Sequence, residues 1–101
     1  MITLPAELKQ LIDHADMSRE IKNHNGARGL MVHVLNEYCG DDQRRRTFTK
    51  AVFGCETSHD LKDYQIAAFL AWKDHPQARS EVNRIIADYL KEQGQAELFA
   101  I

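Results

Sequence analysis

The sequence predicts an all-α protein, a compact bundle of four to six helices. Apolar residues recur at the helical period of about 3.6 residues in several segments of the chain. Residues that typically begin or end helices stand between these segments. Apart from residues 30–35, the chain has almost no short β-branched run of the kind that forms strands.

The first helix is predicted to begin at Thr3, whose hydroxyl can cap it, with Pro5 in its first turn. Its apolar residues keep helical spacing: Leu4, Leu8, Leu11, Ile12 and Ala15. The segment 16–26 either extends this helix or forms a short separate one. Asn25 and Gly26 are predicted to end it.

The second helix is predicted over residues 27–40. Its apolar face consists of Leu30, Met31, Val34, Leu35 and Tyr38. Gly40 stands where a left-handed cap ends a helix. Asp41 or Asp42 can then open the third helix by accepting its free N–H groups.

The third helix is predicted to turn Phe48, Ala51 and Val52 inward and to end at Gly54. Residues 57–63 are predicted to form a tight turn, and residues 64–74 a fourth helix. Phe69 and Trp72 in this helix could form a stacking platform for bases, but their helical spacing favours the core. The fifth helix is predicted to start at Pro76 and end at Gly94, and its apolar residues lie on one side: Ala78, Val82, Ile85, Ile86, Tyr89 and Leu90.

Residues 1–94 are therefore predicted to form a single helical domain, followed by a tail over residues 95–101. No apolar run approaches the roughly 18–20 residues that cross a bilayer, and the N-terminus lacks a basic-then-apolar signal. We therefore expect a cytoplasmic protein with no membrane contact. In that compartment Cys39 and Cys55 are expected to remain reduced, as small hydrophobic residues.

Positive charge is concentrated in the middle third of a chain whose net charge is −2. Residues 19–50 hold seven basic and four acidic residues, whereas residues 1–18 and 51–101 carry net charges of −2 and −3. The positive segment includes three consecutive arginines near the start of the third helix. Cations are mildly disfavoured there because the helix dipole is positive at that end.

Two explanations for the arginines stay open. One is a solvated helix face on which Asp41 and Asp42 pair with Arg45 and Arg46 at i,i+4. The other is an anion site in which one arginine lies along the core boundary and the others, with Lys50, bind phosphates. The predicted site residues are therefore Arg44, Arg45, Arg46 and Lys50. So few charges predict weak, salt-sensitive contact with DNA.

No catalytic, cofactor or metal site is predicted. The chain has no P-loop, G-x-G-x-x-G, G-x-S-x-G or H-E-x-x-H motif. His33, Cys39, Cys55 and His59 have spacings that match no structural zinc pattern. We therefore expect a protein that is not an enzyme.

The stretch 44–72 resembles a pattern in a family of small proteins from Mu-like phages, related segments of which occur beside some phage recombination proteins. The pattern is a basic helix, a glycine, a Ser–basic–Asp-Leu turn and an acidic-capped amphipathic helix. Here Gly54, Ser58, Asp60 and Leu61 hold these positions, whereas Lys62 stands where a capping Thr is common. The resemblance implies a mobile-element setting and DNA metabolism.

The tail "QAELF" (95–99) resembles the pentapeptide Gln-x-(Asp/Ser)-Leu-Phe with which bacterial polymerases and repair proteins bind the sliding clamp. In that family the Gln and the Leu-Phe pair fill two subsites of an apolar pocket, which implies roles for Gln95, Leu98 and Phe99. Glu97 replaces the commoner Asp or Ser, and Ala96 the commoner Leu. The alternative is that the apolar tail packs on the bundle.

Together these features predict a non-enzymatic accessory module of DNA replication or recombination, of phage or plasmid origin. Its partners would be DNA and a sliding clamp or another replication protein. The alternative is a protein–protein interaction or inhibitor module, or a homodimerising bundle, without nucleic-acid contact. In that case the arginines would meet a carboxylate-lined protein surface.

Overall fold

A computed structural model describes residues 2–94 of the chain. Within this range the protein is all-α, as predicted, and contains no β-strand. The five helices are α1 (Ala6–Asp13), α2 (His24–Cys39), α3 (Asp42–Phe53), α4 (Asp63–Trp72) and α5 (Ala78–Glu92). A short 3-10 turn, Ser58–Asp60, lies between α3 and α4.

The ends of α2 and α3 follow the residues that favour capping. Asp41 caps α3 by accepting a hydrogen bond of 2.7 Å from the backbone N–H of Arg44. Gly40 and Gly54, with φ of 100° and 72°, end α2 and α3 in the left-handed conformation that glycine adopts without strain. The predicted boundaries at Gly40, Asp41 and Gly54 are confirmed.

The start of the chain differs from the prediction. Helix α1 begins after Pro5 with no side-chain cap, so Thr3 does not cap it. Residues 14–23 form turns and irregular chain, neither an extension of α1 nor a separate helix. The predicted stop at Asn25-Gly26 is wrong, because Asn23 accepts a hydrogen bond from Gly26 N–H and thereby places both residues in the first turn of α2.

One hydrophobic core joins the helices. Helix α1 packs against α4, α5 packs against α2 and α3, and α2 also contacts α3 and α4. The largest fully buried side chains are Leu8, Met31, Leu35, Phe48, Ile66, Phe69, Trp72, Val82, Ile85 and Ile86. Phe69 and Trp72 therefore belong to the core, as their spacing indicated.

Two large apolar side chains are exposed within the described range. Met17, in the loop after α1, is 71% exposed, and Leu30 on α2 is 45% exposed. Leu30 and Met31 were both predicted to face inward, but the neighbouring helices cover only Met31. No helix among residues 2–94 is long and apolar enough to span a membrane.

Candidate anion-binding site

Arg44, the first arginine of the triplet, lies between three helices. It is half-buried, and its Nε donates to the backbone oxygen of Cys39 at 3.0 Å. Its Nη2 donates to Asn83 Oδ1 on α5 at 2.8 Å. Asn83 in turn donates through Nδ2 to the backbone oxygen of Tyr38 at 2.9 Å. Arg44 therefore connects the last turn of α2, the first turn of α3 and α5.

The second arginine is also held by the protein itself. Arg45 is only 8% exposed, and its Nη1 donates to Asp42 Oδ1 at 2.9 Å. The same Nη1 lies 3.4 Å from Asn36 Oδ1. The ion pair joins residues i and i+3, whereas the predicted pairs at i,i+4 do not form. Two arginines, and not one, therefore occupy the boundary of the core.

The third arginine lies on a different face of α3. Arg46 is exposed, and within residues 2–94 its guanidinium forms no hydrogen bond or ion pair. Successive residues of a helix are rotated by about 100°, so residues 43, 46, 47 and 50 share one face while residues 44 and 45 point elsewhere. This face presents Gln43, Arg46, Thr47 and Lys50 to solvent along a groove of about 250 Å³.

Lys50, the second cation of the groove, already has a carboxylate partner. Its Nζ lies 2.6 Å from Glu56 Oε1, and both side chains remain substantially exposed, at 43% and 73%. The hydrogen bond raises the pKa of Lys50 and lowers the pKa of Glu56, so both groups carry charge near neutral pH. An anion that binds Lys50 must displace this carboxylate or share the ammonium with it.

The far wall of the groove is Tyr89 of α5. The sequence placed Tyr89 on the inward side of the last helix, after Ile85 and Ile86, but the structure leaves it half exposed. Its hydroxyl makes no hydrogen bond to a described residue. The positions of Tyr89 and Glu56 depend on how α5 and the loop after Gly54 pack on α3, which no local pattern reveals. The spacing of Gln43, Arg46, Thr47 and Lys50 was the available signal.

The remaining chemically versatile residues do not form a site in the described part of the chain. Among residues 2–94, no group of three His, Cys, Asp or Glu side chains is placed to hold a metal ion. Cys39 and Cys55 are free and buried. Burial raises the pKa of both thiols, which favours the protonated form that is not nucleophilic.

A second groove, of about 590 Å³, lies between α1 and α4. Its floor is formed largely by small apolar side chains of α4, and its rim carries polar and charged groups from α1 and the following loop. The lining includes Leu11, Ala15, Tyr64, Ala67, Ala68 and Ala71. We refer to it as the α1–α4 groove.

The other predicted site residues, Gln95, Leu98 and Phe99, lie outside the described residues. No protein-family model matches the chain, and comparisons with curated proteins and with solved structures gave no match. The resemblances to a phage family and to a clamp-binding peptide therefore stay predictions.

Proposed function

We propose that the protein is a cytoplasmic, non-enzymatic accessory module of DNA replication or recombination, of phage or plasmid origin. It would contact DNA phosphates through Arg46 and Lys50. The observation that carries this proposal is the open groove on α3. In it the exposed guanidinium of Arg46, which pairs with no described residue, lies one helical turn from the exposed ammonium of Lys50. A guanidinium and an ammonium at this separation are well suited to a shared phosphate.

The contacts of the other two arginines limit the size of this interface. Arg44 and Arg45 are engaged with Cys39, Asn83, Asp42 and Asn36, so the site has two cations and not four. Affinity for nucleic acid grows with the number of phosphates neutralised. The protein would therefore hold DNA weakly on its own and depend on a second partner for stable attachment.

DNA binding should be lost when the two groove cations are replaced together. We expect the Arg46→Gln/Lys50→Gln variant to bind a short fluorescent DNA at least about tenfold more weakly than the wild type at low salt, measured by anisotropy. Both side chains are exposed, so the melting temperature should change little.

A matched control removes the same charge elsewhere. Arg19 and Lys22 are exposed in the loop before α2, and neither lines the groove on α3. The Arg19→Gln/Lys22→Gln variant should retain most of the wild-type affinity. If both double variants lose binding equally, the effect is one of net charge, and the proposed interface is wrong. A wild-type protein that binds no DNA at low salt would also refute it.

We further propose that the tail supplies the second partner contact, through the clamp-like residues Gln95, Leu98 and Phe99. Support for this comes from the match of "QAELF" to the clamp-binding pentapeptide and from its place after the end of α5. A peptide that is packed on its own bundle cannot enter a pocket on another protein. The tail would therefore be dispensable for folding.

Deleting residues 95–101 should leave the melting temperature unchanged and abolish binding to a bacterial sliding clamp. Phe99→Ala alone should cause most of the loss, because aromatic anchors carry a large share of interface energy. Thermal melts and clamp binding of the full-length and truncated proteins check this. If the tail belongs to the core, its deletion will instead destabilise the protein, by about 1.5–3 kcal/mol for each of Leu98 and Phe99.

A protein–protein interaction module is the second candidate function, and the α1–α4 groove favours it. Its alanine floor is open enough to accept apolar side chains of a partner, and Met17 is exposed in the loop that follows α1. This function requires no DNA contact. The DNA-binding comparison therefore separates the two candidates.

A further inference from the structure

The groove on α3 combines two kinds of group that recognise different parts of a nucleotide. Guanidinium and ammonium groups, such as those of Arg46 and Lys50, bind phosphate through charge and hydrogen bonds. Tyr89, on the facing wall, offers an aromatic ring that is half exposed and whose hydroxyl makes no hydrogen bond to a described residue. Aromatic rings beside cations are the usual means by which proteins hold unpaired bases.

We infer that the groove binds single-stranded DNA, with one unpaired base stacked on Tyr89 and the adjoining phosphate held by Arg46 and Lys50. This inference rests on the proposed function and specifies the form of DNA that the site recognises. The bases of a duplex stack on each other and cannot reach the ring without being unpaired. The groove is also small, about 250 Å³, which suits one nucleotide better than a duplex backbone.

Glu56 has a defined part in this arrangement. Its carboxylate occupies Lys50 in the absence of DNA, at 2.6 Å from Nζ. A phosphate that binds between Arg46 and Lys50 would displace that carboxylate into solvent, where 73% of the side chain already lies. Glu56 therefore competes with the DNA strand for Lys50 and lowers the affinity of the groove for that strand.

Two substitutions of Tyr89 test the stacking contact. Wild-type protein should bind a labelled oligothymidine about tenfold more tightly than a duplex of the same length. Tyr89→Leu should lower the affinity for the single strand by about tenfold and remove this preference, since the base loses its ring. Tyr89→Phe keeps the ring and should bind like the wild type.

Tyr64→Leu is the matched control, because Tyr64 is also half exposed but lines the α1–α4 groove. It should leave oligothymidine binding unchanged. The ratio of single-strand to duplex affinity is the decisive readout, since a purely structural role of Tyr89 would weaken both forms of DNA alike. Melting temperatures of all variants establish that each is folded.

Glu56→Gln tests the competition for Lys50 and should raise the affinity for oligothymidine several-fold at low salt.

Failure of the inference and failure of the proposed function give different results. If both DNA forms bind equally and depend on Arg46 and Lys50 but not on Tyr89, the stacking site is wrong and the proposed function stands. If neither form binds to the wild type, both are overturned.

Discussion

Phe69→Ala is expected to lower the free energy of unfolding by about 3–5 kcal/mol, the largest stability effect anticipated for this protein. Phe69 is fully buried, and its ring contacts those of Phe48 and Trp72 edge to face, at centroid distances of 6.0 and 6.1 Å. The substitution therefore leaves a cavity and removes both aromatic contacts. Urea denaturation followed by circular dichroism measures the loss.

The matched control is Leu30→Ala, which removes an apolar side chain from a helix surface. Leu30 is 45% exposed, so its truncation leaves no buried cavity and should lower the free energy of unfolding by less than about 1 kcal/mol. Comparable losses for the two variants would contradict the placement of the core. A small loss for Phe69→Ala would do the same.

Arg44→Gln is expected to lower the free energy of unfolding by about 1–3 kcal/mol, because hydrogen bonds from charged groups contribute about this much. The side chain donates to Cys39 O and to Asn83 Oδ1, and the shorter glutamine cannot reach both. Arg44→Lys should restore little of the loss, since a single ammonium cannot replace two directed guanidinium bonds. Chemical denaturation of the three proteins gives the comparison.

Arg46→Gln serves as the control for this effect, because it makes the same change two residues further along α3. Arg46 is exposed, so its substitution should change stability by no more than about 0.5 kcal/mol. Equal effects of Arg44→Gln and Arg46→Gln would show that the triplet acts as one solvated run of charge. A solvated run of charge is one of the two explanations that the sequence left open.

The sequence was most informative where structure is decided locally. Asp41, Gly40 and Gly54 act on the backbone within a few residues of themselves, so the ends of α2 and α3 could be predicted. Phe69 and Trp72 could be assigned to the core because they keep helical spacing with other apolar residues of α4. These features need no knowledge of what packs against them.

The errors concern features that depend on distant parts of the chain. Asn25-Gly26 has the composition of a helix stop, but the cap from Asn23 places it inside α2. Leu30 and Met31 are adjacent on α2, and only the position of the neighbouring helices determines that Met31 is the buried one. Both outcomes follow from tertiary packing, which periodicity does not specify.

The candidate site was predictable only in part, for the same reason. The helical rotation of about 100° per residue separates the three arginines, but it does not say which of them meets a neighbour. Arg44 is engaged because Asn83, 39 residues away, lies opposite it on α5. Tyr89 and Glu56 complete the groove through the same packing, so the sequence could identify two cations but not their surroundings.

The central proposal is that Arg46 and Lys50 together bind a phosphate of a DNA strand. The most direct test measures oligothymidine binding by the wild type and by Arg46→Gln/Lys50→Gln over a range of salt concentrations. Each phosphate neutralised on a single strand contributes about 0.7 to the steepness with which log affinity falls as log salt rises. We predict salt-dependent binding by the wild type and a slope shallower by about 0.7 for the double variant, because both cations of the shared phosphate are then gone. Equal slopes for the two proteins, or no salt-dependent binding by the wild type, would contradict the claim.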